Sequence, residues 1–276
     1  MPVVDVNGHR YFHFYMEDFA LAAGNSFVPI PPAAMITHIS GQKEGDLIEQ
    51  IRRVGPMVAA DVFNTLSQAG QDMRTPGFLL VDLGCGCGRV AAFLTQILAQ
   101  GRYLGLDVWR EGIEWAQHHI TPAAPHVEFR CLVEERVEYK GAQSFPIPLA
   151  SETARGVTAN SLFTHLGEKP AANYLGEIGR VLKSGGVAYV SCFVLDALGV
   201  SVLEKAAGNL GLNRTQDSAT FSSGDFYTSS FDIGFFEKHG LAAGMQIHAT
   251  KRGSWRGDGN FDNPAAFQDV VVLVRQ

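Results

Sequence analysis

A glycine-rich turn between an apolar run and a helical pattern constrains this chain more than any other feature. The apolar run, Phe78–Val81, suits a parallel strand that is buried on both faces. It leads into Asp82–Gly88, and apolar residues then recur at helical spacing from Val90 to Leu98. Glycines lack Cβ atoms, so such a turn can be tight and a ligand can approach its backbone closely. The segment predicts a strand, a ligand-binding turn and a helix.

The rest of the chain repeats this alternation, which predicts an α/β sheet with right-handed crossovers. Further strands are predicted at Arg102–Val108, Val127–Leu132, Gly156–Ala159, Val187–Val194, Met245–Thr250 and Val270–Val274. Helices are predicted at Glu111–Ile120, at Phe231–His239 with Gly240 as its stop, and in a segment that Pro170 opens and Gly185-Gly186 close. The last two strands lack an intervening helix, so they should pair antiparallel.

We expect a single domain, 1–276, whose core spans residues 78–195 and to which the remaining segments are attached. Residues 1–77 form an N-terminal extension, in which Gly55-Pro56 should divide two helices, Asp46–Arg53 and Pro56–Ala69. The arm Tyr11–Ala34 is rich in aromatic residues and proline, and it should lie on the core. Residues 196–230 are rich in Ser, Gly and Asn and are expected to be an insertion, while 231–276 hold the last helix and strands.

Composition narrows the possible partners and location. The net charge is −6 and basic residues are scattered, which argues against nucleic acid as a partner. Charged residues interrupt the first 20 positions, and the near-apolar run Val187–Val200 is too short to span a membrane. We expect a cytoplasmic protein with no membrane contact. Its thiols, Cys85, Cys87, Cys131 and Cys192, should be reduced, and no second Cys/His pair completes a metal site.

An acidic residue follows the second predicted strand at the spacing that nucleotide sites use. Asp107 stands 23 positions after Gly84. In α/β nucleotide sites, an acidic side chain about 20 residues after the turn accepts hydrogen bonds from ribose hydroxyls. The alternative is that Asp107 only caps the next helix.

Together these segments resemble the class I S-adenosylmethionine (SAM)-dependent methyltransferases. Asp82–Gly88 matches the family's acidic-x-G-x-G-x-G motif, and Tyr103–Asp107 looks like its second motif. Ile178–Gly186 resembles the signature before strand five, with Ser184 where the family usually has proline. Asn160–Leu166 looks like the motif that follows strand four in a small-molecule subgroup. The resemblance implies a seven-stranded, mostly parallel Rossmann-like sheet with an antiparallel last strand, helices on both faces and an N-terminal helical extension.

The resemblance also implies roles for the matched positions, with SAM as the cofactor. Asp82 would orient the turn near the methionine end, Asp107 would hold the ribose, and Val108 would pack on adenine. The adenine edge would lie near Leu132. The residues implied to bind the cofactor are Asp82, Gly84, Cys85, Gly86, Gly88, Asp107, Val108, Leu132 and Asn160.

The implied function is methyl transfer from SAM to an O, N or S atom of a small molecule. His165 follows the fourth strand and is the candidate catalytic base, although a packing or capping role is an equal alternative. An NAD-dependent oxidoreductase is a further alternative, but its usual fingerprint is G-x-G-x-x-G. A non-catalytic SAM-binding protein is another. Acceptor selectivity is expected from the arm and from residues 196–230. The arm could equally bury its aromatic residues in a homodimer.

Overall fold

The structure, a computed structural model, describes residues 3–6, 9–15, 25–40, 47–98, 100–133, 143–207, 211–223, 226–262 and 266–276. It divides into two compact units. The first comprises Met1–Ser67 and Asp72–Arg136, and the second comprises Gln68–Gln71 and Val137–Gln276. Among the described residues, no helix is long and apolar enough to cross a membrane.

The N-terminal extension contains strands as well as helices, which the sequence did not predict. Strands β1 (Val3–Val6), β2 (His9–Tyr15) and β3 (Asn25–Pro29) form a separate antiparallel sheet. Helices α1 (Ala33–Ser40) and α2 (Leu47–Gln68) follow. The side chains of the arm's aromatic residues lie outside what the structure describes, as do Phe19 and Asp46 altogether.

The predicted helix break at Gly55-Pro56 is wrong, because α2 runs through Pro56 without interruption. Proline removes one backbone donor from a helix and clashes with the preceding turn. Packing outweighs this cost, since α2 buries the apolar side chains of Ile51, Ala59, Val62 and Leu66. Gly55 permits close contact with the next helical segment: a Cβ there would lie 2.5 Å from Cε2 of Phe93.

The core of the first unit is the predicted parallel sheet. Strands β4 (Leu79–Leu83), β5 (Arg102–Asp107) and β6 (Val127–Cys131) pair in parallel in the order β6-β5-β4. Helices α3 (Ala91–Ile97) and α4 (Arg110–His119) connect them. All five residues of β4 are buried, as its apolar sequence predicts.

The second unit centres on one long strand, β8 (Leu182–Leu195), which pairs in parallel with β7 (Ala154–Ala159). Helix α5 (Glu168–Val181) joins them and places Pro170 in its first turn, where proline is tolerated. Gly185-Gly186 does not end this helix, because β8 begins at Leu182. The pairing with β7 shifts register between Leu182 and Val187, so the two glycines form an irregularity within the strand.

Residues 196–230 are more regular than their composition predicted. They form α6 (Ala197–Ala207), β9 (Gly211–Arg214), β10 (Ser218–Ser223) and β11 (Phe226–Asp232). Strands β9, β10 and β11 pair antiparallel in sequence, and β11 adds in parallel to the end of β8, with Ser230 opposite Phe193. The hydroxyl of Ser230 has a partner within this sheet, since its Oγ donates to the carbonyl oxygen of Ala219 at 3.1 Å, whereas among the described residues the buried hydroxyl of Ser229 has none.

The C-terminal elements confirm the predicted antiparallel ending. Helix α7 (Ile233–Ala242) starts later than predicted because Phe231 belongs to β11, and Asp232 caps it by accepting from Gly234 N at 2.8 Å. Gly240 does not stop this helix, which continues to Ala242. Strand β12 (Met245–Lys251) pairs antiparallel with β13 (Asp269–Arg275), and β13 pairs antiparallel with β8.

A buried carboxylate ties the loop between β12 and β13 to β8. Asp269 accepts hydrogen bonds from Val194 N at 2.8 Å, Trp255 Nε1 at 2.8 Å and Gly253 N at 2.9 Å. Its remaining contact is with the buried guanidinium of Arg256, at 2.5 Å. Four donors around one buried carboxylate satisfy its hydrogen-bonding capacity and fix the loop.

We expect Asp269→Ala to lower the free energy of unfolding by about 3–5 kcal/mol, because it leaves the buried Arg256 cation and three donors without this acceptor. Urea unfolding followed by circular dichroism measures the change. Asp72→Ala is the control: Asp72 pairs with Arg74 at the surface, at 2.9 Å, and its loss should leave the unfolding midpoint unchanged. Equal midpoints for the Asp269 variant and the wild type would contradict the prediction.

Candidate cofactor site

The glycine-rich turn begins where β4 ends, and the backbone of β5 holds its first residues. Gly84 N and Cys85 N both donate to the carbonyl oxygen of Leu106, at 2.8 and 3.2 Å. Gly88 N donates to Cys85 O at 3.0 Å, which closes the turn on itself. The turn is therefore a rigid structure before any ligand binds.

Two of its glycines are required for different reasons. Gly86 and Gly88 have φ of 58° and 80°, the left-handed region that glycine adopts without strain. A Cβ on Gly88 would lie 2.5 Å from Cδ1 of Ile120, so this position serves packing of the unit. At Gly86, a Cβ would lie 3.3 Å from Cγ2 of Ile39, which shows that α1 passes over the turn.

Asp107 joins the turn to the end of β5. Its Oδ2 accepts from Gly86 N at 2.7 Å, and its Oδ1 accepts from Trp109 N at 2.9 Å. The second bond lies just before α4, whose N-cap residue is Trp109 and has no side-chain cap bond, so Asp107 holds the backbone that enters the helix and does not cap it. Each carboxylate oxygen has two lone pairs, which leaves acceptor capacity for hydroxyl groups of a ligand.

Asp82, the last but one residue of β4, is an unusual buried acid. Burial raises its pKa to about 7, the hydroxyl of Tyr103 donates to Oδ2 and lowers it, and the charge of Asp107 raises it. Burial also raises the pKa of Asp107, against the backbone donors of Trp109 and Gly86. Because both acids have raised pKa values, a positively charged ligand beside buried Asp82 and half-buried Asp107 would stabilise their ionised forms.

Arg89 is a cation that lowers the pKa of Asp82. Burial lowers the pKa of its guanidinium, while the charges of Cys87 and Asp82 act in the opposite direction. In the part of the chain that the structure describes, its buried Nε has no hydrogen-bond partner. Such an orphaned donor fits a ligand carboxylate. SAM carries a carboxylate, an ammonium and a sulfonium group, so the residues around this turn fit it.

The cysteines of the turn fill space. A Cβ on Gly105 would lie 2.9 Å from Sγ of Cys85, which shows that this thiol packs against β5. Burial raises the pKa of Cys85 well above its usual value and that of Cys87 to about 12. Both side chains are therefore protonated thiols with little nucleophilic character.

The expected adenine contacts lie together at the ends of β5 and β6. Val108 and Leu132 are half-buried, and Leu132 N donates to Asp107 O at 2.8 Å. The next residue, Trp109, meets the ring of His38 from α1 with centroids 4.2 Å apart. Sequence reasoning missed His38, Ile39, Tyr103 and Arg89 as neighbours of this site; only the position of Arg89 directly after the turn gave a signal.

Two predicted site residues belong to the second unit. Asn160 directly follows β7, and His165 ends a single 3-10 turn, Phe163–His165, with an exposed side chain. Between them, Ser161 has φ of 60°, which is uncommon for a residue other than glycine. Its backbone N donates to Oγ of Ser191 on β8 at 2.7 Å.

Comparison with known proteins identifies the central segment. Residues 81–190 match the family model described as a methyltransferase domain. The chain is 31% identical over 133 residues to an O-methyltransferase from Pyrenophora dematioidea, covering 48% of this chain and 45% of that protein. It is 30% identical over 115 residues to the ubiquinone biosynthesis O-methyltransferase of Bradyrhizobium sp. (strain ORS 278), covering 42% and 40%. The chain thus spans less than half the length of these curated relatives.

Solved structures share the fold over most of the chain. Magnesium protoporphyrin IX methyltransferase from Synechocystis PCC 6803, with bound S-adenosylhomocysteine, gives a TM-score of 0.52 at 16% identity and covers 88% of this chain and 93% of that one. Geranyl diphosphate C-methyltransferase from Streptomyces coelicolor A3(2) gives 0.54 at 14% identity, covering 89% and 88%. The chain shares the fold of these two methyltransferases, which confirms the predicted Rossmann-like, mostly parallel α/β class.

We expect the affinity for SAM to fall about tenfold between pH 8 and pH 6. The pKa of Asp82 is about 7, so this acid is ionised above that pH and loses its attraction for a cationic ligand as the pH falls through it. Isothermal calorimetry across this range measures the change. Asp82→Asn is the control, because the titration of SAM itself affects both proteins equally. Identical pH profiles for the two proteins would contradict the prediction.

Proposed function

We propose that this protein transfers a methyl group from SAM to a small-molecule acceptor. The observation that carries the proposal is the half-buried Asp107 carboxylate, which bridges Gly86 and Trp109 beside the buried acid Asp82. This arrangement offers acceptors for ribose hydroxyls and negative charge for a sulfonium ligand. The family match over residues 81–190 supports the same cofactor.

When bound, SAM would supply an electrophilic methyl group on a sulfonium. The chain's part is mainly alignment of an acceptor lone pair with the methyl–sulfur bond and exclusion of water. Asp107 and the glycine turn would hold the nucleoside, and Arg89 would pair with the carboxylate. His165 would accept a proton where the acceptor is a weakly nucleophilic hydroxyl.

The N-terminal arm, together with helix α1 that continues from it, would supply part of the cover over the cofactor. Two contacts of α1 support this role: the His38 ring on Trp109, and Ile39 beside Gly86. Upstream, Val28, Ile30 and Ile36 are buried, so the arm is anchored in the first unit. Burial of the arm against a second copy of the chain is the competing role.

An oxygen atom is the first candidate for methylation, because both curated relatives are O-methyltransferases by name. The family match spans residues 81–190 and includes neither the arm nor the segment 196–230, so the acceptor itself is to be found by experiment. Incubation of the protein with labelled SAM and fractionated metabolites, followed by identification of the labelled product, is the direct test. If no fraction becomes labelled although the protein binds SAM, a non-catalytic role is favoured.

Calorimetry tests the cofactor first. We expect micromolar binding of SAM and S-adenosylhomocysteine, and Asp107→Ala should weaken SAM binding by about 1.5–3 kcal/mol, the scale of hydrogen bonds to a charged group. Thermal melting is the control that the variant stays folded. An unchanged dissociation constant in a folded Asp107 variant would show that this carboxylate only holds the backbone. Binding of NAD without binding of SAM would favour the oxidoreductase.

His165→Ala tests the proposed base. If His165 takes the acceptor's proton, turnover should fall about 10²–10⁴-fold while SAM affinity stays nearly the same. His118→Ala is the matched control, since His118 is an exposed histidine whose ring nitrogen lies 2.6 Å from the carbonyl oxygen of Glu114 on α4. A lower melting temperature with normal turnover in the His165 variant would instead assign it a packing role.

A further inference from the structure

A polar cluster at the carboxyl end of β8 fixes the turn that follows β7. Ser191 Oγ lies 2.8 Å from Oε1 of Gln268 and 3.3 Å from Oδ1 of Asn160, and it accepts from Ser161 N at 2.7 Å. A hydroxyl has one proton, so the shorter contact, with Gln268, is the better donor bond. Gln268 thereby takes part in holding the Asn160-Ser161 turn, although it lies 107 residues beyond Ser161 in the chain.

This turn is kept in an unfavourable conformation. Ser161 has φ of 60°, and its carbonyl oxygen accepts from Thr164 Oγ1 at 2.7 Å while its N–H is bound to Ser191. Strained backbone that the surrounding hydrogen bonds enforce is typical of ligand sites. The turn that this cluster holds is therefore a candidate ligand site.

An aromatic surface adjoins the cluster on the same face of β8. Phe193 stands two residues after Ser191, so their side chains project from one face of the strand. The Phe193 ring lies 5.1 Å from the ring of buried Trp255 and 6.0 Å from that of Phe267, which it meets at right angles. Phe267 is nevertheless 63% exposed. Buried Trp255 thus packs against half-buried Phe193, and the ring of Phe267 is open to a ligand.

Hydrogen-bond donors lie beside this open surface. Within the described residues, the amide oxygens of Asn160 and Gln268 are engaged with Ser191, and no hydrogen bond engages their amide nitrogens. An amide NH2 group can only donate, so these two groups suit an oxygen acceptor on a ligand. Uncovered rings with adjacent donors suit a flat apolar molecule that carries an oxygen atom.

We propose that Phe193, Phe267 and Gln268 form the acceptor subsite, and that it takes an aromatic molecule with an oxygen substituent. The ligand's ring packs on Phe267 and Phe193, and its oxygen accepts from the Gln268 amide. That this surface binds the methyl acceptor rests on the proposed function, whereas its binding of an aromatic compound with an oxygen atom does not. Rigid anchoring through Asp269, the neighbour of Gln268, keeps this surface in place before the ligand arrives.

The probe is 2-naphthol, with 2-methylnaphthalene as the analogue that lacks the oxygen. We expect the full-length protein to bind 2-naphthol in fluorescence titrations, with and without S-adenosylhomocysteine. Phe267→Ser should weaken binding of both probes about tenfold, because it removes the apolar contact. Gln268→Ala should weaken 2-naphthol about fivefold and leave 2-methylnaphthalene unchanged.

Leu241→Ser is the matched control, since Leu241 is 64% exposed on α7. Helix α7 leads into the start of β12, which lies at the opposite end of the β8–β13 pairing from this surface. This variant should bind both probes as the wild type does. Failure of the wild type to bind 2-naphthol, or equal binding by the Phe267 and Leu241 variants, would overturn the subsite. Calorimetry with S-adenosylhomocysteine separates the two proposals. If the wild type does not bind this compound, the cofactor site is refuted, whereas the subsite stands or falls on the probe titrations alone.

Discussion

The carboxylate of Asp107 is the interaction on which the first unit's site depends. It accepts from the backbone of the glycine turn after β4 and from the backbone after β5, at 2.7 and 2.9 Å. Charge-assisted hydrogen bonds of this kind are about twice as strong as neutral ones. One side chain thereby sets the distance between two loops, and α1 can pack over both through His38 and Ile39.

The same site lowers the stability of the protein without a ligand. Ionisation of Asp82 lowers the free energy of unfolding by about 4 kcal/mol, because its pKa is 3.8 in the unfolded chain and burial raises it to about 7 in the folded protein. The cost is absent below pH 3.8, grows as the pH rises and is complete above pH 7. A cationic ligand offsets it by favouring the ionised form. Binding and folding are therefore coupled at this residue, and a ligand that binds the folded state also stabilises it.

The sequence predicted what depends on local pattern. Strand β4, the glycine turn and Asp107 were predictable, because an apolar run, the spacing of glycines and the residue that ends a strand are all local features of the sequence. The continuous helix through Pro56 was not, since tertiary packing outweighed the local penalty of proline. Strands β10 and β11 were also missed, because the backbone pairing that forms them joins serine-rich segments that have no alternating apolar pattern. The Ser191–Gln268 contact joins residues 77 positions apart, so only the fold brings it about.

In each unit a carboxylate holds backbone groups from two different segments. Asp107 does so for the glycine turn, and Asp269 holds Val194 and Gly253 in the second unit, where Gln268 and the aromatic surface adjoin it. A carboxylate suits this task because it accepts several N–H groups at once and needs no proton of its own. Since the anchors share no residue, substitutions on the aromatic surface leave the bonds of Asp107 intact. The proposed acceptor surface can then vary while the proposed cofactor contacts of Asp107 stay constant, because loops on a rigid scaffold vary without cost to the scaffold.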